Sequence, residues 1–98
     1  MNIARTPQFY MANLGSEVAG MYSAIEQSDP EKLHSCHSRA KKIVNEFRRL
    51  EQRPAALAEM AKLEEIIDDL AAPERKLDIP KADLESYFLP FALRLMSR

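Results

Sequence analysis

The chain has 98 residues, 46% hydrophobic and 30% charged, which makes one globular domain spanning residues 1–98 and is too apolar for disorder. Fourteen Lys plus Arg against fifteen Asp plus Glu give a net charge of −1, which excludes a global basic field for holding nucleic acid. A single cysteine, Cys36, cannot form an internal disulfide. The opening Met1-Asn2-Ile3-Ala4-Arg5 lacks the apolar stretch of a signal peptide, and no apolar run reaches ~18 residues. A cytoplasmic location without a membrane anchor is therefore expected.

Strand formers are scarce, and only Gly15 and Gly20 are available for tight turns. Alanine, leucine and glutamate dominate, residues that lose little freedom in a helix. Pro7, Pro30, Pro54 and Pro80 each stand where an amphipathic pattern begins, a position at which a missing N–H costs nothing. The fold class is all-α, and the periodicity predicts helices over about 7–27, 30–51, 54–71 and 80–96.

Thr6 is a candidate N-cap for the first helix, whose bulky stripe is Leu14, Val18, Met21, Tyr22 and Ile25. Ala12, Ser16, Ala19 and Ser23 form a second stripe of small residues on the opposite side. Ser28 and Glu31 fit a capping box opening the second helix. Leu33, Cys36, Ala40, Ile43, Val44, Phe47 and Leu50 follow in threes and fours. The third helix carries Leu57, Met60, Leu63 or Glu64, Ile67 and Leu70. Residues 72–79 have no periodicity and read as the longest loop, with Leu77 and Ile79 expected to dock its end on the core. The fourth helix brings Leu84, Tyr87, Phe88, Phe91, Leu95 and Met96.

Short connections between the first three helices favour antiparallel neighbours, hence an up-down four-helix bundle. The alternative is a three-helix core whose C-terminal helix packs on a partner chain. Helix two is basic and helix three acidic. A hairpin turning near Gln52-Arg53 sets Lys41 and Lys42 level with Leu63 and Glu64, and Arg39 near Asp68, so the charges serve register first.

Two features point to a partner. Small residues at Ala12, Ser16, Ala19 and Ser23 let a second backbone approach, and the apolar surplus after Phe88 exceeds one core stripe. The expected interface is Ala12, Ser16, Ala19, Ser23, Phe88, Phe91, Leu95 and Met96, giving a homodimer first and another protein partner second.

His34-Ser35-Cys36-His37 is the one local concentration of reactive side chains. Glu31 and His34 make a Glu-x-x-His step of the kind that di-iron bundles use, and His37 shares that face. Those sites need two steps and two further glutamates, and this chain supplies one step. Glu31, His34 and His37 are thus the metal candidates of the rival reading, with Arg39, Lys42, Arg49 and Arg53 as its nucleic-acid strip. No Gly-rich loop, nucleophile elbow or phosphate-binding lysine motif occurs. The chain reads as a non-enzymatic, self-associating interaction or regulatory module needing no cofactor. Its rival is a metal-binding or nucleic-acid-associated accessory protein.

Overall fold

The computed structural model describes residues 6–96, the side chains of Ala92, Arg94, Leu95 and Met96 excepted. The described chain forms four helices and no strand: α1 (Pro7–Glu26), α2 (Pro30–Leu50), α3 (Pro54–Ala71) and α4 (Lys81–Met96). Each boundary falls within a residue of the sequence expectation, because proline and local caps set it. Thr6 Oγ1 accepts from Phe9 N at 3.2 Å, satisfying one of the donors that the first turn leaves open.

The second cap differs from the sequence reading. Asp29, not Ser28, caps α2, its Oδ1 accepting from Lys32 N at 3.1 Å. Ser28 is instead in the left-handed region, at φ 51°. Its N–H reaches Ile25 O and the N–H of Asp29 reaches Ala24 O, the paired bonds of a Schellman motif ending α1. A serine spent on closing one helix cannot open the next.

The four helices make a bundle, and α4 packs against α1 of its own chain. Leu14, Met21, Val18, Val44, Met60 and Ile67 are its most completely buried large side chains. Each contributes about 1.5–3 kcal/mol relative to exposure. Among the described residues, α1 packs on α2 and α4, and α2 on α3, while the backbones of α3 and α4 do not meet. Side chains bridge that last seam: the Tyr87 hydroxyl donates to Glu59. Burial, reinforced by that carboxylate, pushes the Tyr87 phenol well above its ordinary pKa.

The loop before α4 is pinned at its middle and near its end. Asp69 accepts from the backbone N–H groups of Lys76 and Leu77 at 2.8 and 3.1 Å, and Tyr22 donates its hydroxyl to Ile79 O at 2.7 Å. Ile79 packs against the core as expected; Leu77 does not, being 47% exposed.

Candidate functional site

Helix α1 is the axis of the molecule because two glycines let its neighbours come close on either side. A Cβ on Gly15 would lie 2.8 Å from Phe88 Cβ, and one on Gly20 would lie 2.7 Å from Cys36 Sγ. Five residues separate these glycines, roughly 140° around the helix, so α4 and α2 flank α1 on opposite sides. The close approach expected of the Ala/Ser stripe is thus made by Gly15 and Gly20. The stripe itself lies between the flanking helices on the outer side of α1. Ser16 and Ala19 are exposed, and Ala12 and Ser23 half-buried.

A groove runs along each flank of that stripe. The one between α1 and α4, about 520 Å³, is lined by Ala12, Gly15, Ser16, Ala82, Ser86 and Leu89, among others. The one between α1 and α2, about 480 Å³, is lined by Phe9, Tyr10, Asn13, Lys42, Ile43 and Glu46. The centre of the face is small-sided, alanine and serine alternating along it.

The bulky candidates separate. Phe88 is 7% exposed, seated on Gly15 and taken up by the chain's own core, so it offers no interface anchor. Phe91 is half-buried and packs against the same core. The side chains of Leu95 and Met96 lie outside the described residues. Leu89 and Leu93, which the sequence reading passed over, are 55% and 51% exposed. Their signal was present, since they are four apart and fall opposite Leu84 and Phe88 on the wheel of α4.

Four of the seven polar candidates are paired with carboxylates outside the candidate set. Among the described residues no three of His, Cys, Asp and Glu gather as a metal site. Glu31 and His34 are exposed, while His37 Nε2 donates to Asp68 Oδ1 at 2.8 Å. Three of the four nucleic-acid candidates face carboxylates: Arg39 pairs with Glu17, Arg49 with Glu46 and Arg53 with Glu51. Lys42 is exposed on the wall of the α1–α2 groove. Glu51 also accepts from the backbone N–H groups of Gln52 and Arg53, and its carboxyl is lowered to about 2, chiefly by the Arg53 guanidinium.

Between α2 and α3 the expected register holds for Lys41, which lies 2.7 Å from Glu64 and 2.9 Å from Asp68. Arg48 also reaches Glu64 at 2.7 Å. Hydrogen bonds from Arg48 and Lys41 hold the Glu64 carboxyl below its ordinary pKa. At Asp68 burial acts the other way, yet His37 and Lys41 more than offset it and the pKa is again lowered. Arg39, expected beside Asp68, turns instead to Glu17 of α1 at 3.0 Å. Cys36 is buried, a small apolar side chain as its seam position implied.

No helix among the described residues is long and apolar enough to cross a membrane. The chain matches no family model, no curated protein and no solved structure.

Proposed function

We propose that this chain is a non-enzymatic interaction module that self-associates into a homodimer through the outer face of the α2–α1–α4 layer. One observation carries the reading: Leu89, 55% exposed, lines the α1–α4 groove together with the small residues Ala12, Gly15 and Ser16. A half-exposed leucine beside a small-residue recess gains from a surface that both covers it and fills the recess. The non-enzymatic part is supported by the fate of the polar groups, whose charge is used in ion pairs on and between helices.

Native mass spectrometry of the tag-free protein over a range of concentrations tests the reading. The wild type is expected to give a dimer that dissociates on dilution. Leu89→Asp is expected to give a folded monomer by circular dichroism, because its side chain leaves the core undisturbed. Leu77→Asp, on the loop and away from the face, is expected to leave the dimer intact. A wild type monomeric at every concentration overturns the proposal, as does equal loss of dimer in both variants.

A further inference from the structure

We infer that the second copy docks with its α1 parallel to the first, about a two-fold axis running along α1, so that α4 of each protomer covers α2 of the other. The inference rests on the self-association reading and adds the arrangement. A two-fold contact presents one face to itself, so its axis lies in the plane of that face. On a layer with α1 in the middle, the two limiting orientations of the axis are along α1 and across it.

Charge separates the two choices. The α2 wall of the face carries Lys32, Lys42 and Arg39, the last paired with Glu17 of α1, against one carboxylate, Glu46, which Arg49 pairs; α1 has no Lys or Arg between Pro7 and Glu26. The α4 wall carries Glu85 on the lining of the α1–α4 groove, and its one cation among the described side chains, Lys81, is paired with Glu26 of α1. An axis across α1 sets α2 against the partner's antiparallel α2, basic wall against basic wall. An axis along α1 sets the basic wall of each protomer against the Glu85 wall of the other.

Height along α1 makes the same choice. Both walls run antiparallel to α1, and the contacts fix their levels. On one side Phe88 sits at Gly15 and Lys81 at Glu26. On the other, Arg39 sits at Glu17, Cys36 at Gly20 and Lys32 at Ser23. Glu85 therefore falls near the level of Arg39, and Leu89 near that of Asn13, where the α1–α2 groove holds Lys42 and Ile43. Rotation about an axis along α1 preserves these levels. Each copy's Leu89 then faces the other's α1–α2 groove, and each Glu85 faces the other's Arg39.

Single cysteines along the stripe read the arrangement directly. With parallel helices every stripe position faces its own copy. Ala12→Cys, Ser16→Cys, Ala19→Cys and Ser23→Cys, each treated with a short bis-maleimide, are all expected to give covalent dimers. The unsubstituted protein, whose Cys36 is buried, is the control expected to give none. With the axis across α1, only the position nearest the axis links. A dimer by native mass spectrometry in which one position or none links overturns the arrangement and leaves self-association standing. A protein that stays monomeric, with the Ser16→Cys thiol singly alkylated, overturns both.

Discussion

At the scale of single residues, the decisive positions are those where nothing projects. Gly20 sits mid-helix, where glycine costs about 1 kcal/mol relative to alanine, and the compensation is the close seating of Cys36. The obstruction to a methyl group there is one atom. Sγ would lie 2.7 Å from the new Cβ, whereas Cys36 Cβ would lie at 3.7 Å, an ordinary contact. Gly20→Ala alone is expected to destabilise the protein by about 1–2 kcal/mol, overpacking exceeding the helix-propensity gain. In a Cys36→Ala background the same change is expected to be neutral or stabilising by up to about 1 kcal/mol. Urea unfolding of the four proteins gives the coupling, and additive effects would remove the contact from the account. These glycines were visible in the sequence, but what sits on them was not. A helical pattern shows which face is small and does not name the neighbour that uses it, so the Ala/Ser stripe was credited with the approach.

Elements were the most legible scale, because proline, caps and apolar period are all local. The lapse at Ser28 is instructive. α1 ends at Glu26 and α2 begins at Pro30, so the link must both close one helix and open the next. A Ser-x-x-Glu pattern suggested that Ser28 did the opening, yet the closing bonds of α1 require a left-handed residue there, and Asp29 takes the cap. Glycine is the residue best suited to such a position, since a Cβ is strained in the left-handed region. Ser28→Gly is therefore expected to stabilise the fold by about 0.5–1 kcal/mol, with helix content unchanged. Ser28→Val is expected to destabilise it by at least as much, because a branched Cβ is worse still at positive φ. Thermal unfolding of the pair checks both signs. The reverse order would mean that Ser28 is not held left-handed in solution.

For the whole molecule, periodicity specified a bundle but not which pairs of helices would pack. The charge pattern fixed α2 against α3 through Lys41, Glu64 and Asp68. It misplaced Arg39, because the competing carboxylate, Glu17, belongs to a helix whose position the α2–α3 hairpin does not determine. Nor did any local signal show that α4 would lean on α1 and leave α3 to side chains. That asymmetry leaves space at the end where all four helices converge. A half-open recess of about 80 Å³ is lined there by Pro7 and Met11 of α1, Phe47 of α2, Ala56, Glu59, Met60 and Leu63 of α3, Phe91 of α4, and Arg53. Apolar side chains lining such a recess stay in contact with water and gain from being covered. Ala56, half-buried in the first turn of α3, is the shortest side chain on this wall and the natural one to extend. Ala56→Leu adds three carbons, each worth about 0.8 kcal/mol if buried, against about 0.5–1 kcal/mol of lost rotamer freedom and some residual strain. The expected net is a gain of about 0.5–1 kcal/mol, or a few degrees in melting temperature. Because the added carbons fill the gap between α3 and Phe91, amide exchange along α4 is expected to slow together with the global melt. A loss of stability would mean that the space cannot be reached from Ala56. A gain without slower exchange in α4 would mean that the filled recess does not join α4 to the rest of the bundle.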